Sequence, residues 1–505
     1  MTRDPLARIV AERGERALEE LSVLRSSDPP TTGGRVLSYV YDSGVEGLDE
    51  LAVRASALAY GVNGLDPTVF GSVAALHGGI VRRMRAVLAP PDDDEVFGSV
   101  TSGGTESCLL ACLAAREVRA RTAGDGCSIV APVTVHAAFR KAAHVLGIRF
   151  VGVEVDPATA RVSADDMLAA VDSDTCLVVC SAPSYPTGVI DPVVDVAAGL
   201  ESLDRSIGLH VDACLGGLAL PFWPASPGAG PVTNPWDLRV PRVTSISADL
   251  HKYGFAPKGT SVLLSRGRQR HRAAWFATTD WPGYPVVNPT LAGSKPLEPV
   301  AAAWVVMEAL GDDGQRELVA RTARATERLA AGLAEIDGLR LLDRDPGPLL
   351  ALGSDASRPE GRRVHPHLWA DACGRAGIAV QCQPGYRQTR GDIASSAHLT
   401  VTPVTEELVE EILAVAGAAA DEVRGQPAPA PPAGFADVLD ALDSGALSPA
   451  DILALPEDDV HTMVAAVLTG DAEPGMATLL AAIERLPTDV GARLVRAYLA
   501  AVMEG

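Results

Sequence analysis

Five short apolar runs constrain this chain more than any other feature: 128–132 (SIVAP), 150–155 (FVGVEV), 176–183 (CLVVCSAP), 208–214 (GLHVDAC) and 243–249 (VTSISAD). Breakers bound each run, and helix-patterned segments at 106–123, 136–146, 163–171 and 192–204 separate them. Continuous apolar runs this short read as strands buried on both faces, and strand–helix–strand repetition predicts an α/β domain with a mainly parallel sheet. Ligands of such sheets bind beyond the carboxyl ends of the strands. The residues that follow each run are therefore the candidates for chemistry.

Four candidates stand there. Thr101-Ser102-Gly103-Gly104-Thr105 leads into a helix, where free amides suit a phosphate, although a capped glycine turn has the same appearance. His136 opens the helix after the 128–132 run, a position that a simple capping histidine also takes. Asp212 ends an apolar strand, and a carboxylate buried there needs a cationic partner. Lys252 follows the 243–249 run in Ser247-Ala248-Asp249-Leu250-His251-Lys252, where a solvated loop lysine is the bland alternative. Singly each signal is weak, but their order matches what pyridoxal 5'-phosphate requires: a phosphate turn, a ring to stack, a carboxylate for the pyridine nitrogen and an amine.

At these residues the chain resembles the group II pyridoxal-phosphate decarboxylase superfamily and, within it, the sphingosine-1-phosphate lyases. The runs that carry the likeness are TSGGTES (101–107), HAAFRKAA (136–143), SAPSYPTGVIDPV (181–193), HVDACLGG (210–217), SISADLHKYGFAPKGTS (245–261) and TDWPGYPVVNPTLAGSKP (279–296). The likeness is dense over 33–300, thins to about 420 and leaves the rest unexplained. It implies a fold type I enzyme, a large domain plus a smaller C-terminal α/β domain, acting as a homodimer with shared active sites. Carried over motif by motif, Lys252 is the Schiff-base lysine, Asp212 the pyridine partner and His136 the stacking ring. Gly104, Thr105 and His251 hold the phosphate with Ser247 nearby, and Gly293 and Ser294 reach it from the other subunit. Tyr41, Asn63, Tyr185 and Lys258 face the substrate; were the enzyme instead an amino-acid decarboxylase, Lys295 or Lys258 could hold a distal acid.

The departures bear on substrate. The family pattern Asn-Pro-Leu-His-Pro-Asp-x-Phe-Pro reads Asn63-Gly64-Leu65-Asp66-Pro67-Thr68-Val69-Phe70-Gly71 here, so a carboxylate stands where the relatives carry an imidazole. Facing a phosphate, that exchange is unfavourable by about 1 to 4 kcal/mol, depending on screening. The family's Gly-Ser-Arg-Pro-Gly is Gly293-Ser294-Lys295-Pro296-Leu297, which loses a bidentate fork. The expectation is a carbon–carbon lyase of the retro-aldol type, with Tyr185 or Lys258 near the β-hydroxyl. It acts on a β-hydroxy amine or amino acid less anionic than the sphingoid phosphate. An L-amino-acid decarboxylase is the alternative, and a scaffold without activity a third reading.

The remaining chain sets the surroundings. Side chains number 43 basic and 64 acidic, a net charge of −21 that argues against nucleic acid and anionic membrane as partners. The longest apolar stretch, 299–310, is too short to span a bilayer. The charged N-terminus is no signal peptide, and the eight cysteines form no CxxC, so a reduced, cytoplasmic chain without disulfide framework or zinc site is expected. His365-Pro366-His367 reads as a surface loop, and Arg387 and Arg390 as surface residues, with reach to a substrate anion from the small domain as their alternative. The expected domains are 1–85 (helical, at the dimer and active-site entrance), 86–296 (cofactor-binding α/β), 297–424 (small α/β), a Pro-rich linker 425–434, and an acidic helical module 435–505. That module has twelve acids and three arginines. On a semi-rigid tether it is expected to reach outward to a protein partner or to self-associate.

Overall fold

The computed structural model describes residues 5–121, 126–203, 206–224, 235–468 and 475–504. The far ends of the helices expected over 106–123 and 192–204 lie outside the described residues. Three helices come first: α1 (Pro5–Arg25), α2 (Leu48–Ala59) and α3 (Gly71–Leu88). The large domain follows as β1 (Val96–Thr101), α4 (Gly104–Ala120), β2 (Ser128–Pro132), α5 (Ala137–Leu146), β3 (Arg149–Val153), α6 (Ala164–Ala169), β4 (Thr175–Ser181), α7 (Val193–Leu200), β5 (Gly208–Asp212), β6 (Ser245–Asp249) and β7 (Ser261–Arg266).

These seven strands form one sheet in the order β1-β7-β6-β5-β4-β2-β3. The pairs β2–β3, β2–β4, β4–β5 and β5–β6 are parallel, as the apolar runs predict. β7 runs antiparallel to both β6 and β1. The carboxyl ends of β5 and β6 are in register, with Asp212 opposite Ser247. The sheet core is aliphatic, with Val178, Leu209, Ile246 and Leu264 fully buried.

After α8 (Arg268–Ala273) and the short pair β8 (Phe276–Thr278) and β9 (Val286–Asn288), α9 (Glu298–Ala334) leads into the small domain. The apolar stretch 299–310 is the buried start of that helix, as expected. The small domain holds β10 (Leu339–Leu341), β11 (Leu349–Ser354), α10 (Pro366–Arg375), β12 (Gln381–Gln383), β13 (Ser396–Thr400) and α11 (Val409–Val423). Its antiparallel sheet has the order β10-β11-β13-β12, which makes β12 an edge strand. His365 and His367 do not form a surface loop. His365 caps α10, and His367 is buried with Nε2 at 2.7 Å from the Gln383 carbonyl.

The tail comprises α12 (Ala433–Asp443), α13 (Pro449–Ala454), α14 (Glu457–Leu468), α15 (Met476–Arg485) and α16 (Thr488–Glu504) around its own core of Phe435, Leu439, Val460, Val490 and Leu494. Ser448 and Asp451 form the capping box that starts α13. The tether does not hold this module outward: α15 packs on α10, and the Ala477 amide donates to Asp371 at 3.1 Å. A second expectation also fails, because Cys127 and Cys176 form a disulfide. No sequence motif signals it, since the residues are 49 apart in sequence and meet because β2 and β4 are neighbours, with Cα atoms 5.4 Å apart. Among the described residues no helix is long and apolar enough to cross a membrane.

Candidate active site

A cavity of about 530 Å³ opens at the carboxyl ends of the large-sheet strands. Lys252, His136, Asp212, Tyr185, Gly104, Thr105, His251, Tyr41 and Lys258 all line it, so nine predicted residues come together.

Its floor is set by close approach. A Cβ on Gly104 would fall 2.8 Å from both carboxylate oxygens of Asp249 and from Cys214 Sγ, so only glycine lets the start of α4 meet the strand ends. Because α4 begins at Gly104, the amides of its first turn have no helical carbonyl behind them. Glu106 braces the turn: Oε2 accepts from the Ser102 amide at 2.6 Å, and Oε1 from the Leu291 amide at 2.8 Å.

Asp212 is buried at the end of β5, and its Oδ1 accepts from the Cys214 amide at 3.0 Å and the Ser247 hydroxyl at 3.3 Å. Burial alone would raise its pKa, but His136, Cys214 and Lys252 together hold it below the usual value, so it is an anion. Ser247 does not line the cavity. It stands behind Asp212, 3.2 Å from Nε2 of His210, whose pKa burial depresses to about 4. It orients the carboxylate. Cys108, Asp212 and Cys214 place three ligand-type atoms within 4.8 Å of one another, with Asp212 committed to the contacts just described.

Lys252 lies 2.9 Å from Asp249, three residues before it at the end of β6. Burial disfavours its ammonium, yet Asp249, then Cys214, Tyr41 and Asp212, raise the pKa above the ordinary value. The other carboxylate oxygen, Oδ1 of Asp249, is buried without a hydrogen-bond partner. His251 Nδ1 sits 2.7 Å from the Thr260 carbonyl, which fixes the ring beside the same carboxylate. Asp249 was missed in the sequence, although it is an acid at a strand end like Asp212.

His136 serves both of its readings. Its Nδ1 accepts from the Ala138 amide at 3.2 Å and caps α5, while the ring lines the cavity. The rest of the lining comes from elsewhere in the chain. The Tyr185 hydroxyl donates to Gln381 Oε1 on β12, and its ring stacks on His398 at 4.2 Å. Burial pushes the Tyr185 pKa up to about 12, so at neutral pH it keeps its proton. Lys258 Nζ donates to the Tyr39 carbonyl at 3.0 Å and lies 4.8 Å over the Tyr41 ring. Burial first, and Lys252 second, lower its pKa. Gln381 carried no sequence signal, because only folding of the small domain brings it here.

The other predicted residues gather apart from this cavity. Asn63 Nδ2 donates to Ser294 Oγ at 3.4 Å, Asn63 Oδ1 accepts from the Lys295 amide at 3.4 Å, and Lys295 Nζ reaches Thr290 Oγ1 at 2.8 Å. Gly293 belongs to the same loop and, like the others in this group, does not line the cavity of its own chain. Asp66 accepts from the amide and hydroxyl of Thr68, at 2.9 and 2.6 Å, and from the Val69 amide, and these bonds lower its pKa. It closes a turn and does not line the cavity. Arg387 and Arg390 are engaged by the Glu484 carbonyl and by Asp166.

Residues 49–335 match the model of the pyridoxal-dependent decarboxylase conserved domain. The chain belongs to this family. It is 38% identical over 343 residues to the sphingosine-1-phosphate lyase of Dictyostelium discoideum, covering 68% of this chain and 63% of that one. It is 37% identical over 338 residues to sphingosine-1-phosphate lyase 1 of Rattus norvegicus, covering 67% and 58%. The chain thus spans about three fifths of the length of the curated relatives it matches. Among solved structures, a sphingosine-1-phosphate lyase of Burkholderia pseudomallei superposes with a TM-score of 0.72 at 30% identity, covering 86% of this chain and 95% of that one. A glutamate decarboxylase of Lactobacillus brevis superposes with a TM-score of 0.70 at 20% identity over 82% and 93%, which speaks for the fold alone.

The family's cofactor is pyridoxal 5'-phosphate, and the donor set fits it. An anionic Asp212 suits a protonated ring nitrogen, the free first-turn amides of α4 suit a phosphate, and Lys252, paired with Asp249 Oδ2 at 2.9 Å, offers an amine for the aldehyde carbon.

Proposed function

We propose that this chain is a pyridoxal-phosphate-dependent carbon–carbon lyase that cleaves a β-hydroxy amine or amino acid to an aldehyde. On this reading it is like the sphingosine-1-phosphate lyases but takes a less anionic substrate. The single observation that carries the reading is that one cavity is lined both by Asp212, Asp249 and Lys252 and by Tyr185 and Gln381, which are joined through the Tyr185 hydroxyl.

Pyridoxal phosphate, when bound, draws off the electron pair of a bond to the substrate's amine-bearing carbon. The chain's own residues do the rest. Asp212 keeps the ring nitrogen protonated, and His136 packs on the ring. Amides of Gly104 and Thr105, with His251, hold the phosphate. Lys252 Nζ would supply the amine that holds the cofactor, with Asp249 setting the charge on that amine. Tyr185, which keeps its proton, orients the β-hydroxyl, and Lys258 is the cavity amine proposed to take the hydroxyl proton, since burial and Lys252 lower its pKa and so enlarge its neutral, proton-accepting fraction. No arginine lines the cavity among the described residues, which supports a weakly anionic substrate.

We further propose a cytoplasmic homodimer. Exposed Val10, Leu18, Leu21 and Leu24 on α1 support a second chain as covering partner, and six free thiols support the compartment, against which the Cys127–Cys176 bond counts. Gly293 and Ser294 would then face the phosphate of the other subunit's site.

The test is incubation of the holoenzyme with a panel of β-hydroxy amines and of amino acids. Aldehyde release from the former is expected. Release of CO₂ from amino acids without aldehyde would replace this reading with the decarboxylase one. Sedimentation at micromolar concentration tests the dimer, and a monomeric mass with full activity would remove it.

A further inference from the structure

The tail module lies outside the family's matched region, and the reaction as proposed makes no use of it. What it touches is specific. Helix α15 spans two anchor points on the small domain. At its start the Ala477 amide donates to Asp371 of α10 at 3.1 Å, and at its end Glu484 Oε1 accepts from the Gly385 amide at 2.7 Å. Arg387 Nη2 closes the second anchor by donating to the Glu484 carbonyl at 2.8 Å.

Both anchors bear on β12. This strand is three residues long and pairs with β13 on one side only, so its own ladder is too short to fix it. His367, at the start of α10, holds the Gln383 carbonyl at 2.7 Å, and Ser396 Oγ donates to Gln383 Oε1 at 2.9 Å. Pro384 then leads straight to Gly385, where Glu484 takes hold. Two residues before Gln383 stands Gln381, the cavity residue that accepts from Tyr185. Past Gly385 the same loop is tied to the large domain, with Tyr386 Oη 3.4 Å from Arg140 of α5 and Thr389 on Glu154. Helix α15 therefore clamps the free edge of the small sheet at the point where the substrate wall is built.

We propose that Glu484 is a positioning residue for the active site, and that the tail acts as an intramolecular brace holding β12 and Gln381 against Tyr185. This deepens the proposed reaction by adding a device for the substrate wall, but the contact it asserts does not depend on which bond is cleaved.

The experiment uses the full chain loaded with pyridoxal phosphate and compares Glu484→Ala, Glu484→Gln and Asp371→Ala with the parent. Hydrogen exchange is followed on peptides covering 381–391, with peptides of β4 and of α16 as controls. In Glu484→Ala, exchange over 381–391 is expected to rise about tenfold or more, the size of losing a hydrogen bond to a charged acceptor. The two controls stay unchanged. With the amine substrate, KM rises about tenfold while kcat holds within about twofold. Glu484→Gln, which keeps an acceptor for the Gly385 amide, stays near the parent in both readouts. Asp371→Ala, at the other anchor, gives the same exchange pattern more weakly.

Exchange over 381–391 that does not respond in Glu484→Ala, with α16 still protected, overturns the brace. So does a rise in exchange with KM unmoved. Loss of protection in α16 in Glu484→Ala moves the decision to Asp371→Ala under the same criteria. If no substrate in the panel turns over, the proposed reaction fails, while the exchange readout still decides the contact.

Discussion

The two walls of the cavity are built in opposite ways. The cofactor wall is the edge of one sheet: Asp212 and Asp249 end the adjacent strands β5 and β6, and Lys252 follows three residues later. Its groups are buried and paired by charge: His136, Cys214 and Lys252 lower the pKa of Asp212, and Asp249 raises that of Lys252. The substrate wall is assembled from Tyr41 near the N-terminus, Tyr185 and Lys258 in the large domain, and Gln381 in the small one. Its groups are joined by single hydrogen bonds and ring contacts. Chemistry that needs a fixed charge is placed on the rigid element, and choice of substrate is left to contacts that can be altered one at a time.

If that division is right, mutations on the cofactor wall abolish turnover and those on the substrate wall change KM. The largest effect belongs to Lys252→Ala. Its kcat should fall on the order of 10⁴-fold, with loss of the visible absorbance of bound cofactor, because the other lysine lining the cavity among the described residues, Lys258, is engaged by the Tyr39 carbonyl. Residual turnover above one per cent would show that Lys258 can take its place, and the contrast between the walls would collapse.

Asp249→Asn comes next. Removing one partner of a buried ion pair costs about 3–5 kcal/mol, since the remaining charge is left uncompensated. Lys252, held above its ordinary pKa chiefly by Asp249, should then lose its proton at lower pH. The sign follows: the neutral amine captures the cofactor, so the acid limb of the rate of cofactor binding to apoenzyme moves to lower pH in the variant. A limb that stays in place, measured by stopped-flow absorbance, would mean that Asp249 does not set the charge on Lys252.

These walls were not equally legible in the sequence. Strand ends, the glycine turn, His136, Asp212 and Lys252 follow from local pattern, because a buried parallel strand must be apolar and a charged residue ending it stands out. Asp249 could have been read by the same rule. Gln381 could not: it is one of two glutamines flanking Cys382 on a three-residue strand, and only the packing of the small sheet turns it to Tyr185. The helical character of the tail was legible, but the docking of α15 on α10 was not, since it rests on single contacts made by Asp371 and Glu484. The Cys127–Cys176 bond was hidden for the same reason, as partners on neighbouring strands are not neighbours in sequence.

On the substrate wall, Tyr185→Phe removes the hydroxyl that donates to Gln381 but leaves the ring on His398. The expected result is a KM raised about tenfold, as for one lost hydrogen bond, with kcat reduced by less. A kcat loss approaching that of Lys252→Ala would make Tyr185 a proton-transfer group. That outcome would join it to the cofactor wall.

The smallest effect tests a residue the sequence placed at the entrance. Asp66 accepts three hydrogen bonds within its own turn and does not line its own chain's cavity. On those contacts Asp66→His should leave kcat/KM within about twofold for an uncharged amine, since surface changes without cavity contact seldom exceed about 0.5 kcal/mol. A phosphorylated amine separates two cases. If Asp66 reaches only its own turn, that substrate also responds within twofold. If the cluster of Asn63, Ser294 and Lys295 faces a second subunit's cavity, the imidazole should improve the phosphorylated substrate and not the uncharged one, because charge repulsion at the entrance is removed. The second pattern would move Asp66 from turn-closing residue to part of the substrate wall, and would make that wall the product of two chains.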